Sequence, residues 1–258
     1  MRPPEIRIVN DTQELTREAA DLFLWLGQRA VADTGFFRVA LSGGSTPKAF
    51  YGALTEAAPS GQLDWSRVEF YFGDDRCVPH DHGESNFALA NEHLFRPLKI
   101  AQDKVFRMEG EAASPDAAAA GYEAALRKQF GVDAPAWPRF DLILLGLGED
   151  GHTASLFPGT SALGEETRLV VTSTSPKGIP TRLTFTVPLI NQAKVVVFLV
   201  AGSGKASPVR GILEPAGSAV HFPGGLIRPT AGRLIWILDQ AAASELAVTK
   251  QQLQSHEE

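Results

Sequence analysis

A chain of 258 residues that is 44% hydrophobic and 21% charged has the make-up of a globular protein able to bury a substantial core without staples. Its net charge of -6 argues against a nucleic-acid surface as its main business, and its one cysteine, Cys77, forms no internal disulfide and demands no oxidising compartment. The opening MRPPEIRIVND has no signal-peptide core, and no apolar run approaches the ~20 residues of a membrane span, so a cytoplasmic chain without a membrane partner is expected.

Along the chain, Glu5 to Val9 reads as a first edge strand, with Asn10 or Asp11 as the cap of the helix that follows. Thr12 to Ala32 carries Leu15, Ala19, Leu22, Phe23, Leu26 and Ala30 at helical spacing and ends near Asp33 to Gly35. Phe36 to Leu41 is a strand that runs straight into Ser42-Gly43-Gly44-Ser45-Thr46-Pro47, and Lys48 to Ala57 continues as a helix. Pro47 suits a first helical turn. Val68 to Phe72 is the next strand and ends in Gly73-Asp74-Asp75-Arg76, read as a turn. Helices are expected near Asn86 to Phe95 and over Pro115 to Phe130, with a proline-bearing turn at Ala134 to Pro138.

Asp141 to Leu145 is a short apolar run of the kind that fills a buried parallel strand. Gly146 and Gly148 follow, then Glu149, Asp150 and His152, and Thr153 to Phe157 is read as a possible helix start. The last third adds strands at Leu169 to Ser173, Arg182 to Val187, Lys194 to Val200 and Leu234 to Leu238. A short helix is expected at Ala206 to Leu213 and a C-terminal helix at Ala241 to Leu253, before a polar tail. Strands alternating with helices imply a mostly parallel Rossmann-like sheet, covered on both faces, in one α/β domain over 1–258. A smaller strand-containing portion is expected in the C-terminal third.

Several strand ends carry chemistry. Ser42, Gly43, Gly44, Ser45 and Thr46 offer unpaired backbone N–H groups at a helix start, a ready phosphate site that matches neither the P-loop nor the dinucleotide fingerprint. Asp74, Asp75 and Arg76 form a structural ion pair or anchor a sugar and polarise a carbonyl. His152, with a carboxylate two positions before it, is a candidate general base with an orienting partner. Lys205, after Gly202 and Gly204, and either Lys177 or Arg182 are candidate anion contacts. His80, Asp81 and His82 do not fall at a metal-ligand spacing, so no metal site is expected. Neither Ser45 nor Ser155 sits in a nucleophile elbow, and nothing supports Cys77 as a nucleophile. The inventory suits a small phosphorylated, hydroxylated substrate and one proton transfer, without a cofactor.

LSGGSTPKAFY, YFGDDRCVP with the following GESNFALANEHLF, LLGLGEDGHTASLFP, RLTFTVPLIN and AGSGKA occur in this order between about residues 36 and 207. Together they resemble the 6-phosphogluconolactonase family, within a superfamily that includes glucosamine-6-phosphate deaminases. The resemblance implies a carboxylic ester hydrolase that converts 6-phospho-D-glucono-1,5-lactone to 6-phospho-D-gluconate in the oxidative pentose phosphate pathway. It implies that His152 activates water and Asp150 orients it. The Ser42–Thr46 turn with Arg182 and Lys205 would hold the phosphate, Asp74 would contact substrate, and Arg76 and Asp75 would sit close to the lactone ring. The implied partner is the phosphosugar lactone alone, for a monomer or weak homodimer. Two rivals are carried: a glucosamine-6-phosphate deaminase/isomerase with Asp74 as base, and a non-catalytic phosphosugar sensor. Gly73-Asp74-Asp75-Arg76 departs from the deaminases' Asp-Glu-aromatic pattern, and an intact Asp150 and His152 speak against a sensor.

Overall fold

The computed structural model describes residues 3–58, 61–214 and 222–247. It opens with strand β1 (Glu5–Val9) and helix α1 (Thr12–Thr34). The Asp11 side chain accepts from the Glu14 N–H at 2.8 Å, which fixes the cap of α1 on the second of the two expected residues. The helix stops at Gly35, whose φ of 82° is the left-handed cap that glycine adopts freely. Strand β2 (Phe37–Leu41), helix α2 (Ser45–Ala57) and strand β3 (Val68–Phe72) follow.

Immediately after β3 the structure departs from expectation. Asp74–Arg76 is not a turn but a three-residue strand, β4, placed by its antiparallel partner rather than by its own propensity. Helix α3 (Asn86–Ala90) runs through a π-turn at Asn91–Phe95 into α4 (Arg96–Leu98), and α5 spans Pro115–Phe130. Strands β5 (Leu142–Leu145), β6 (Val170–Thr174) and β7 (Thr181–Phe185) come next. The last expected strand residues, up to Val187, give way to helix α6 (Val187–Ile190), which has Pro188 in its first turn. Strand β8 (Val195–Val200), helix α7 (Ala206–Leu213), strand β9 (Arg233–Asp239) and helix α8 (Gln240–Ala243) complete the described elements. The expected helix to Leu253 breaks at Ser244, and its portion beyond residue 247 lies outside the described residues.

Six strands form one all-parallel sheet in the order β1-β9-β8-β5-β2-β3. Its inner strands are apolar on both faces: Leu142 and Leu144 join one core layer, with Phe37, Val39 and the α1 residues Leu15 and Phe23. Ile143 and Leu145 join the other, with Phe198, Trp236 and the α5 residues Tyr122 and Leu126. The period of two along a strand buried on both sides explains both the continuous apolar run and the helices on each face. A second, antiparallel sheet has the order β4-β7-β6. It draws one strand from the first half of the chain and is not confined to the C-terminal third.

From β2 the chain proceeds outward to β3, whereas from β5 it proceeds the opposite way through β8 and β9. The reversal between β2 and β5 is a topological switch point, and a crevice opens at the carboxyl ends of those two strands. There sit the two glycine-rich turns Ser42–Gly44 and Gly146–Gly148. The small sheet closes one side, because β4 continues from β3 and pairs Asp74 with Thr184 and Arg76 with Arg182.

A close approach under β4 gives a test. A Cβ on Gly110 would lie 2.3 Å from the Arg76 carbonyl oxygen and 3.0 Å from that of Val78, both backbone atoms that cannot rotate away. Gly110→Ala should cost ~1–3 kcal/mol as overpacking, lowering the melting temperature by about 2–10 °C in calorimetry. An unchanged melting temperature would refute the close packing.

Candidate active site

A cleft of about 670 Å³ occupies the switch point. The carboxyl end of β2 supplies Ser42, Gly43, Gly44, Ser45 and Thr46; that of β5 supplies Gly146 to Asp150 and His152. Asp74 and Arg76 enter from β4, Lys177 and Arg182 from the β6–β7 hairpin, and Lys205 from beyond β8. Of the residues expected in the site, these are brought together; Asp75 is not.

The His152 ring is held on two sides. Its Nδ1 lies 2.5 Å from Asp150 Oδ1, and its face rests on Phe157 with centroids 4.5 Å apart. The same carboxylate accepts the His152 backbone N–H at 3.1 Å. Burial works to raise the Asp150 pKa, but the hydrogen bonds from the imidazole and from this N–H outweigh it and hold the carboxyl below its ordinary value. With Nδ1 turned to a carboxylate, the neutral ring carries its proton there and presents the Nε2 lone pair. The pair lies directly over Gly148, where a Cβ would meet His152 Nδ1 at 2.0 Å and Asp150 Oδ1 at 2.6 Å. Glycine is required there for close approach.

Past the histidine no helix starts. Ala154 takes a left-handed φ of 48°, and Thr153 bridges Leu156. Side chains take over the backbone's bonding: Thr153 Oγ1 donates to the Gly146 carbonyl at 2.9 Å, and the Ser155 N–H donates to Thr184 Oγ1 at 3.2 Å. Ser155 Oγ donates to Asp74 Oδ2 at 2.6 Å, so this buried serine is a partner of Asp74 rather than a nucleophile.

Cationic groups gather along the rest of the cleft. Arg76 and Arg182 are register partners across β4 and β7, and Arg182 is only 7% exposed. Burial, and after it the neighbouring Arg76 guanidinium, push the Arg182 pKa down. Two adjacent guanidinium groups in a half-buried site favour an anion between or beside them. The Ser42–Thr46 turn adds donors of its own. Gly44 has a φ of 108° and caps α2 without a side-chain bond, which leaves N–H groups of the first turn open to an anion. The Ser42 hydroxyl is buried without a partner. Lys205 ends a 3-10 turn after Gly202, whose N–H donates to both oxygens of Asp239 at 3.0 Å. Among the described residues, no group of three or more His, Cys, Asp or Glu side chains could hold a metal ion.

Asp75, expected beside the reacting ring, faces away from the cleft. Alternate side chains of a strand point to opposite sides, so Asp74 and Arg76 share the cleft face and Asp75 the other. There its carboxylate, 2% exposed, accepts the N–H groups of Arg76 at 2.8 Å, Asn86 at 2.7 Å and Phe87 at 3.1 Å. Burial nevertheless pushes its pKa up to about 6, aided by the neighbouring Asp74. Two further residues of the cleft, Asn86 and Glu149, carry no assigned role in the sequence reading. The signal for Asn86 was a Ser85 cap at a helix start, which says nothing of where the Asn side chain points.

The family model for glucosamine-6-phosphate isomerases/6-phosphogluconolactonase matches residues 10–236. The chain is 42% identical over 243 residues to a 6-phosphogluconolactonase of Synechocystis, covering 94% of this chain and 98% of that protein. It is 38% identical over 252 residues to the human 6-phosphogluconolactonase, covering 95% of each. Its fold is similar to that of a 6-phosphogluconolactonase from Trypanosoma cruzi, with a TM-score of 0.85 and 31% identity over 95% of this chain and 97% of that one.

The buried Asp75 makes a pH prediction whose sign is fixed. Its pKa is raised from 3.8 to about 6 on folding, so its contribution to stability is full below 3.8 and is lost as pH rises through about 6. Asp75→Asn cannot ionise. Its unfolding free energy relative to wild type should therefore improve as pH rises across that window in denaturant titrations. A difference that stays flat would show that Asp75 does not titrate there.

Proposed function

The chain belongs to the glucosamine-6-phosphate isomerase/6-phosphogluconolactonase family, and we propose that it hydrolyses 6-phospho-D-glucono-1,5-lactone to 6-phospho-D-gluconate, a step of the oxidative pentose phosphate pathway, with His152 as the base. The observation that carries the mechanism is the Asp150–His152 pair, set at a parallel sheet's carboxyl end in a cleft rich in cations. A lactone is an activated ester, so a positioned water suffices as nucleophile. His152 Nε2 takes a proton from that water as its oxygen bonds to C1. The carbonyl electrons move onto the carbonyl oxygen, which Arg76 stabilises. The tetrahedral species collapses, the C1–ring-oxygen bond breaks, and the imidazolium returns its proton to the departing ring oxygen. Asp150 holds the tautomer and stabilises the imidazolium.

The far phosphate supplies orientation. The Ser42–Thr46 turn, Arg182 and Lys205 hold it, with Lys177 near the hairpin as a further cation; this binding energy fixes the ring against the water. Asp74 accepts from both Ser155 and Asn86 and serves as an acceptor for a sugar hydroxyl. That commitment disfavours the deaminase/isomerase reading, in which a carboxylate must remove a carbon-bound proton. A sensor has no use for an oriented imidazole.

No described helix is long and apolar enough to cross a membrane. A charged phosphosugar substrate supports a cytoplasmic location. We treat 1–258 as one α/β domain, because β4 of the small sheet continues directly from β3 of the large one.

Acid release from freshly prepared lactone, corrected for spontaneous opening, tests the mechanism. His152→Ala should lower kcat by ~100- to 10,000-fold with little change in KM. Unchanged kcat would remove His152 from the reaction. Lys205→Ala should mainly raise KM, and a fall confined to kcat would move the phosphate elsewhere.

A further inference from the structure

Arg76 is the cation on which oxyanion stabilisation rests, yet its guanidinium makes no ion pair with a carboxylate among the described residues. What holds it is a neutral amide. Arg76 Nη1 donates to Asn86 Oδ1, and Asn86 is 1% exposed. The other end of that amide is fixed: Asn86 Nδ2 donates to the Asp74 carbonyl at 2.8 Å and to Asp74 Oδ1 at 3.2 Å. This settles the orientation of the amide, since reversing it would set oxygen against oxygen and N–H against N–H. The backbone of Asn86 is pinned as well, by its N–H donating to Asp75 Oδ1 at 2.7 Å. The Asn86–Arg76 contact lies against the Ser42–Thr46 turn, because a Cβ on Gly43 would meet Asn86 Oδ1 at 1.7 Å and Arg76 Nη1 at 3.0 Å.

We propose that Asn86 is a positioning residue for the reaction: it holds the Arg76 guanidinium open to the substrate and away from the Asp74 carboxylate on the same face of β4. This rests on the role given to Arg76 above. An amide suits the task better than a carboxylate. It offers one acceptor to the guanidinium without neutralising it, and its Nδ2 occupies Asp74 Oδ1 while Ser155 occupies Oδ2, so that neither carboxylate oxygen is left bare to draw the guanidinium in. Without Asn86, an arginine beside a buried carboxylate pairs with it, and its charge is spent before the oxyanion forms. Asp75, turned away from the cleft, belongs to the same device, since it ties the first turn of α3 to β4.

A double-mutant cycle on lactone hydrolysis tests this, with melting temperatures measured alongside. Asn86→Ala should lower kcat ~10- to 100-fold with KM changed far less. Arg76→Ala should lower kcat further, and Arg76→Ala/Asn86→Ala should fall no lower than Arg76→Ala alone, because Asn86 acts only through the arginine. If the two losses multiply, Asn86 does not act through Arg76 and the inference is overturned while the role of Arg76 stands. If Arg76→Ala leaves kcat unchanged, the role of Arg76 fails and the inference fails with it. Should Asn86→Ala not fold, Asn86→Ser keeps the backbone bond to Asp75 and removes the amide, and the same cycle decides.

Discussion

The parallel pairing of β2 with β5 at the middle of the large sheet is the constraint on which the rest depends. Because connections run outward in opposite directions from these two strands, no crossover covers the gap between their carboxyl ends. Chain leaving each strand must turn at once, and glycine turns in the least space. One turn therefore yields free N–H groups at the start of α2, and the other packs the Asp150–His152 pair over Gly148. The anion binding and proton transfer of the proposed reaction thus share one topological origin.

The electrostatics of the cleft run against those of the chain. A protein of net charge -6 gathers Arg76, Arg182, Lys177 and Lys205 around one opening. Three of the four carboxylates nearby are occupied, Asp74 by Ser155 and Asn86, Asp150 by His152, and Asp75 by backbone N–H groups on the far side of β4, while the exposed Glu149 also lines the cleft. In the proposed reaction the net positive field acts on the substrate's phosphate and developing oxyanion, in surroundings where water screens it less than at the surface.

Much of this was legible in the sequence where local signals carry the structure. Pro115–Phe130 matches expectation because Ser114 caps it, Pro115 suits its first turn and Gly131 ends it in the left-handed region. The Ser42–Thr46 and Asp150–His152 turns were legible because a strand, small residues and polar groups fall in sequence order. Strand β4 was not: Gly-Asp-Asp-Arg carries turn propensity, and only pairing with β7, more than a hundred residues later, makes it extended. That one misreading also hid the opposite facings of Asp74 and Asp75. Ser155 was missed as a support of the site because its partner Asp74 is remote in sequence, and Asn86 because no local pattern announces a buried amide between two acidic residues and an arginine.

Asp239, at the end of β9, binds the Gly202 N–H and so shapes the turn that carries Lys205. During synthesis on the ribosome, β2, β5 and β8 with their turns emerge well before β9 does. The turn that carries Lys205 therefore cannot take its bonded form until β9 has been made. The Asp150–His152 pair and the turn that carries Lys205 are thus set by parts of the chain made at different times.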